Sequence, residues 1–109
     1  MIHPVPGVRL GVAQAGIKTP DKDDLTLVEL APESSCVALF TRNAFAAAPV
    51  QVAREHLGSS GNTVTHWLIN TGNANAGTGD QGMETARESC SAVAALASCE
   101  PAHVLPFST

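Results

Sequence analysis

The sequence contains few aromatic residues and few basic ones. Its 109 residues include no tyrosine, one tryptophan and three phenylalanines. The hydrophobic content of 44% must therefore come mainly from small aliphatic side chains, which favours closely packed layers over large cavities. The six lysine and arginine residues are scattered along a chain of formal net charge -4, so no basic patch for nucleic acid or an anionic membrane is visible.

Long apolar runs and paired cysteines are also missing. The N-terminus MIHPVPGVRL lacks the basic start and apolar stretch of a signal peptide, and no later run is long enough to cross a bilayer. We therefore expect a soluble cytoplasmic protein without a membrane partner. Cys36, Cys90 and Cys99 form no close pair, which argues against a disulfide framework and a zinc site and favours buried reduced thiols.

The hydrophobic pattern predicts four or five short strands and two helices, an α/β (α+β) fold in a single unit spanning residues 1–109. Extended runs are predicted at 8–13, 25–30, 35–41, 63–69 and 103–108. Residues 25–30 and 35–41 (SCVALFT) are expected to form an antiparallel hairpin whose second strand is buried on both faces. Pro106 indicates that the last run is an edge strand or irregular.

Two helices are predicted from capping residues and helical spacing. The first covers 49–57, with Pro49 in its first turn, where the missing N–H costs nothing. The second covers 81–98, with Asp80 as its N-cap and Thr78 as the competing candidate.

The stretch NTGNANAGTGDQG, residues 70–82, lies between a predicted strand and a predicted helix, where many proteins bind phosphate. It lacks both the Gly-Lys-Ser/Thr of a Walker loop and the G-x-G-x-x-G dinucleotide pattern, and Asp80 places a carboxylate where a lysine or an anion would lie. Asparagine and glycine instead favour a compact turn that satisfies its own backbone. The residues favour a structural corner and leave phosphate binding as the alternative.

Local motifs do not identify an enzyme. His3, His56, His66 and His103 are spread along the chain without metal-ligand spacing, and no G-x-S-x-G is present. We expect surface positions for these histidines, except for His66, which is predicted to be a hydrogen-bonded strand residue.

Five segments in order resemble the family of bifunctional ornithine acetyltransferases/N-acetylglutamate synthases of arginine biosynthesis. They are AGIK, DDLTLVEL, FTRNAFAAAPV, NTGNANAGTGDQG and the final PFST. The resemblance covers nearly the whole chain, and the fourth segment is the most specific. Members of the family commonly read N-S/T-G-N-A-N-A-C/G-T-G there, so Gly77 is an accepted variant.

The resemblance implies an N-terminal-nucleophile-like α-β-β-α sandwich with different connectivity. It implies a precursor that cleaves itself before a threonine into α and β chains, which assemble as an α2β2 heterotetramer. The new N-terminal threonine of the β chain takes acetyl from N-acetylornithine, and in many members from acetyl-CoA, and passes it to glutamate by ping-pong acyl transfer. No metal or prosthetic group is implied.

Thr109 is the candidate site residue. The family makes its oxyanion hole from a Thr-Gly pair in S-T-G-V-I-G, and Ser108 and Thr109 match the first two residues of that motif. The resemblance thus implies that Thr109 stabilises the oxyanion of the tetrahedral intermediate. The residues alone, without the resemblance, favour an ordinary terminal residue.

We expect this chain to be the N-terminal part of the α chain, one piece of a longer product, and to be inactive alone because it lacks the nucleophile. Substrate-binding residues are not predicted. Two alternatives remain open: a non-enzymatic subdomain that assembles with a partner chain, and a small nucleotide-binding α/β module that uses the loop at 72–79.

Overall fold

A computed structural model of the chain describes residues 3–16, 21–43, 46–71 and 79–109. Within these ranges the chain forms strands β1 (Val8–Ala13) and β2 (Leu25–Leu30), helix α1 (Ala48–Ser59), strand β3 (His66–Asn70), helix α2 (Gly79–Ala97), a 3-10 turn (Pro101–His103) and strand β4 (Val104–Ser108). The predicted mixture of strands and helices is confirmed.

The four strands form one sheet in the order β1-β2-β3-β4. β2 is antiparallel to both β1 and β3, whereas β3 and β4 are parallel and are connected through α2. A parallel pair requires such a crossover, since a tight turn can connect only antiparallel neighbours. The carboxyl ends of β3 and β4 therefore lie at the same edge of the sheet.

The predicted hairpin between residues 25–30 and 35–41 is wrong. Both edges of β2 are occupied, by β1 on one side and by β3 on the other, so no position for a third neighbour remains. Glu33 adopts a positive φ of 72° in the turn after β2, and beyond it Ser35 makes a single antiparallel bridge to Thr63. Residues 36–41 lie outside the four-stranded sheet, and Val37 and Leu39 are exposed there, so the prediction that this run is buried on both faces is also wrong.

Both helices agree with the prediction to within two residues at each end. α1 has Pro in its first turn and buries Val52 and Ala53. α2 begins at Gly79, so Asp80 lies inside the first turn and the prediction that it is the N-cap is wrong. Its carboxylate there still interacts favourably with the positive end of the helix dipole. Thr78, the competing cap, lies outside the described residues.

The helices pack on the sheet through small side chains. One cluster joins both helices to β3 and β4, and its centre includes Val52, Cys90 and Val104, each fully buried. A second cluster joins the other side of α1 to Leu105. Direct contact between aliphatic side chains of this size brings the layers close together, as the aromatic-poor composition predicts.

β4 is an edge strand, as Pro106 predicts. Proline has no N–H to offer a further neighbour, so it is tolerated at an edge. The outward carbonyl of Val104 accepts a hydrogen bond at 2.8 Å from Nδ1 of His56 on α1. The helix thus supplies a hydrogen-bond partner to the outward carbonyl at the start of this edge strand.

Candidate functional site

The candidate site lies at the carboxyl ends of the parallel strands β3 and β4, the edge at which α/β sheets commonly bind ligands. Asn70 ends β3 beside Ser108 of β4. The N–H of Thr109 donates to the carbonyl of Asn70 at 2.9 Å, which continues the ladder one residue beyond β4. The side-chain oxygen Oδ1 of Asn70 is buried and accepts no hydrogen bond from a described residue.

The hydrogen bond to Asn70 limits what Thr109 can donate. A threonine carries two donors, the backbone N–H and the side-chain hydroxyl. Since the carbonyl of Asn70 occupies the N–H, the hydroxyl Oγ1–H is the remaining donor. Thr109 is an exposed residue. The oxyanion role itself stays a prediction.

Asp24, just before β2, makes hydrogen bonds at the same end of the sheet. Its side chain is only 4% exposed, and Oδ1 accepts the N–H of Ala15 at 2.6 Å. Its carbonyl accepts the N–H of Thr71 at 3.0 Å, directly after β3. Residue spacing does not reveal Asp24 and Asn70 as neighbours of this end of the sheet, because strand pairing brings Asp24 to Thr71 and Asn70 to Thr109.

An apolar cavity of about 330 Å³ adjoins Thr109. Its walls are residues 38–41, the first half of α1 and the last residues of β4, with Leu39, Val50, Leu105 and Phe107 among them. None of its described lining residues is charged. The cavity therefore suits an apolar group and offers no cation to a phosphate.

Most of the loop in NTGNANAGTGDQG lies outside the described residues, since these stop at Thr71 and resume at Gly79. The hypothesis of a nucleotide-binding loop and the favoured hypothesis of a structural corner both concern this loop. Neither is decided by the described geometry.

A second polar cluster lies at the opposite ends of the strands. His66 is 6% exposed, and its Nδ1 lies 2.8 Å from the hydroxyl of Thr65. Its Nε2 lies 3.6 Å from Oε2 of Glu29, whose other oxygen accepts Nε–H of Arg9 at 2.7 Å. The prediction of a hydrogen-bonded strand histidine is confirmed.

The charges of this cluster stabilise one another. The hydrogen bond from Arg9 lowers the pKa of Glu29 and outweighs desolvation, and the same bond raises the pKa of Arg9. Because Arg9 and Glu29 lie on adjacent strands and directly opposite each other, this is a cross-strand ion pair on an exposed surface. Glu29 stays ionised in this pair, and its second oxygen Oε2 faces Nε2 of His66.

The three cysteines are free thiols at different depths. Cys36 and Cys90 are buried and Cys99 is partly exposed, so the prediction of buried thiols holds for two of the three. Burial raises the pKa of Cys90 to about 12. Within the described residues no three His, Cys, Asp or Glu side chains converge on a position suited to a metal ion. The described helices include none with the length and hydropathy to span a membrane.

Two relatives and a family model match the chain in sequence. The model of the ArgJ family matches residues 9–109. The arginine biosynthesis bifunctional protein ArgJ of Methylococcus capsulatus is 54% identical over 107 residues, which cover 97% of this chain and 25% of that protein. Its counterpart in Pseudomonas syringae pv. tomato is 47% identical over 108 residues, covering 99% of this chain and 26% of that protein. The chain thus spans about a quarter of the length of these relatives.

Two solved structures share the fold. The ArgJ protein of Bacillus halodurans superposes with a TM-score of 0.86 at 28% identity, covering 95% of this chain and 53% of that one. The ornithine acetyltransferase of Mycobacterium tuberculosis, solved in complex with ornithine, gives the same TM-score at 33% identity and covers 95% and 56%. The predicted α+β fold is therefore confirmed, and by sequence and by structure the chain belongs to the ArgJ family.

Proposed function

We propose that this chain supplies part of an acetyltransferase of arginine biosynthesis, which moves acetyl from N-acetylornithine to glutamate. Membership of the ArgJ family and the position of Thr109 at the carboxyl end of β4 support this proposal. The nucleophilic threonine, the rest of the α chain and the β chain would come from residues that this chain does not contain. On this proposal the 109 residues alone are inactive, and the assembled enzyme is a cytoplasmic α2β2 heterotetramer that needs no metal or prosthetic group.

The role proposed for Thr109 is to donate its hydroxyl to the oxyanion. When the nucleophile attacks the acetyl carbonyl, the carbonyl oxygen becomes negative, and donors fixed in advance stabilise it. The observation that carries this role is the hydrogen bond from the N–H of Thr109 to Asn70, because it fixes the residue and leaves Oγ1–H as its donor. A glycine N–H from the following residue would supply the second donor.

The chain would act in two half-reactions. In the first, the threonine hydroxyl of the β chain forms an ester with acetyl, and ornithine leaves as the amine with the proton of that hydroxyl. In the second, the amine of glutamate attacks the ester, and the regenerated hydroxyl takes back a proton. Both tetrahedral intermediates place negative charge on the same oxygen, so Thr109 would serve both. Acetyl-CoA as a further donor is part of the same proposal.

The first test is a pair of substitutions in a reconstituted enzyme. We define the complementary portion as the part of the Methylococcus capsulatus ArgJ protein that this chain does not span. In the complex of the chain with this portion, Thr109→Val removes the hydroxyl but keeps the shape and the N–H. We expect kcat to fall about a hundredfold or more in both half-reactions, with little change in KM.

Thr109→Ser is the matched control, since it keeps the hydroxyl and loses only a methyl group. We expect its kcat to stay within about fivefold of the unsubstituted complex. If Thr109→Val were as active as Thr109→Ser, the hydroxyl would not be the donor and the proposed role of Thr109 would be wrong.

A further inference from the structure

The apolar cavity beside Thr109 is large in comparison with an acetyl group. It has a volume of about 330 Å³, and Thr109 is one of the residues that line it. A methyl group is similar in size to a water molecule, whose share of liquid volume is about 30 Å³, so it fills only a small part of this space. The cavity therefore has room for several carbon atoms beyond a methyl group.

The walls of the cavity are apolar, and two of them belong to the packed core. Helix α1 contributes Val50 and Ala53, and strand β4 contributes Leu105 and Phe107. Ala53 and Leu105 are 3% and 2% exposed, so packing holds their side chains in place. Valine and alanine are short side chains, and their presence on the α1 side leaves the cavity wide.

The chemistry of the reaction determines which part of a substrate suits this cavity. When Thr109 holds the oxyanion, the same carbon atom also carries the nucleophile, the amine and the acyl chain. The amine belongs to ornithine or glutamate, which both carry charged groups, and none of the described lining residues is charged. An unpaired charge is costly in apolar surroundings, whereas an acyl chain gains from burial there. The acyl chain is therefore the substituent that the cavity favours.

We propose that this cavity binds the acyl chain of the donor, and that the assembled enzyme transfers straight-chain acyl groups longer than acetyl. This inference rests on the proposed function, since it names the range of substrates of the same site. The two half-reactions are unchanged: the threonine hydroxyl forms an ester with the longer acyl group as ornithine leaves with the proton. The amine of glutamate then attacks that ester, the C–O bond breaks, and the hydroxyl regains a proton. No further reactant is needed.

A series of donors tests the inference in the complex of the chain with the complementary portion. N-acetylornithine, N-propionylornithine and N-butyrylornithine are each supplied with glutamate, and the N-acylglutamate formed is measured by mass spectrometry. We expect kcat/KM for the butyryl donor to stay within about tenfold of that for the acetyl donor. A pocket shaped for a methyl group alone would lose about tenfold or more for each added methylene, or about a hundredfold for butyryl.

Substitutions of Val50 test whether the acyl chain lies in this cavity. Val50→Phe fills part of the space, and we expect the ratio of butyryl to acetyl kcat/KM to fall by about tenfold or more. Val50→Ala widens the cavity, and we expect the ratio of hexanoyl to acetyl kcat/KM to rise. Val50 is only partly buried, so neither change disturbs a fully packed position. Ala92→Phe, at an exposed position on α2, is the control and should leave every ratio unchanged.

The possible outcomes separate this inference from the proposed function. Acetyl transfer with a butyryl kcat/KM more than about a hundredfold lower would overturn the inference and leave the proposed function standing. Butyryl transfer with the same acyl ratios in Val50→Phe, Val50→Ala and the unsubstituted complex would also overturn it, because the acyl chain would then lie elsewhere. A stable complex that transfers no acyl group at all would count against the proposed function itself.

Discussion

At the scale of single residues, the burial of each cysteine determines the reactivity of its thiol. Cys90 is completely buried, and burial raises the pKa of its thiol to about 12. The thiolate is the reactive form, so at pH 8 Cys90 is both protonated and shielded. Cys99 is partly exposed and lies near the hydroxyl of Thr65, with Sγ 3.8 Å from Oγ1.

We predict that one thiol of the folded chain reacts quickly with Ellman's reagent at pH 8 and that this thiol is Cys99. At pH 8 the thiol of Cys90 stays protonated in the folded chain, because burial raises its pKa to about 12. We therefore expect Cys90 to react only after the chain is unfolded in guanidinium. Cys99→Ser should abolish the fast phase, whereas Cys90→Ser should keep it. A fast phase that survives in Cys99→Ser would show that a buried thiol is accessible.

At the scale of elements, α1 protects the edge strand β4. His56 donates to the outward carbonyl of Val104, and removing the imidazole leaves that carbonyl without this donor. We predict that His56→Ala lowers the free energy of unfolding by about 1 to 2 kcal/mol, measured by urea denaturation followed by circular dichroism.

The neighbouring residue Glu55 provides the control. Its carboxylate forms an exposed ion pair with Arg87 at 3.0 Å, which joins α1 to α2. Exposed pairs contribute little because water screens them, so Glu55→Ala should cost about 0.5 kcal/mol or less. A larger loss in the free energy of unfolding from Glu55→Ala than from His56→Ala would contradict the prediction that the His56–Val104 hydrogen bond stabilises the chain more than this ion pair does.

The same elements show which structural features local sequence patterns predict and which they do not. Strand β1 and the interior of both helices follow from periodicity and from Pro49, because those signals act within a few residues. The pairing of β2 with β3 rather than with residues 35–41 depends on contacts about forty residues apart in sequence, which no local pattern contains. The same distinction holds for the candidate site. The resemblance indicates Thr109, whereas the positions of Asn70 and Asp24 are known only from the pairing of the strands.

At the scale of the whole molecule, the sheet exposes apolar residues at its β1 edge. Leu10 pairs with Val28 and is 61% exposed, and Val12 on the same face is 65% exposed. Phe107, on the same face of β4, is 39% exposed and packs edge-on against Trp67. A face of this kind, next to a strand edge, is typical of a surface that another chain or layer covers.

We predict that the isolated chain self-associates through this face. Multi-angle light scattering should show a mass above 11.2 kDa that rises with concentration. Leu10→Lys should shift the population towards monomer, because it places a charge in the middle of the apolar face. Leu96→Lys, on α2, should not. A monodisperse monomer of the unsubstituted chain over the whole concentration range would contradict the prediction.

We propose that these residues form one part of an acetyltransferase and need the rest of the polypeptide for activity. The most direct measurement is the formation of N-acetylglutamate from N-acetylornithine and glutamate, followed by mass spectrometry. We expect no product from the chain alone or from the complementary portion alone, and steady turnover when the two are combined. Turnover by the chain alone, or a stable complex of the two that forms no product, would contradict the proposed function.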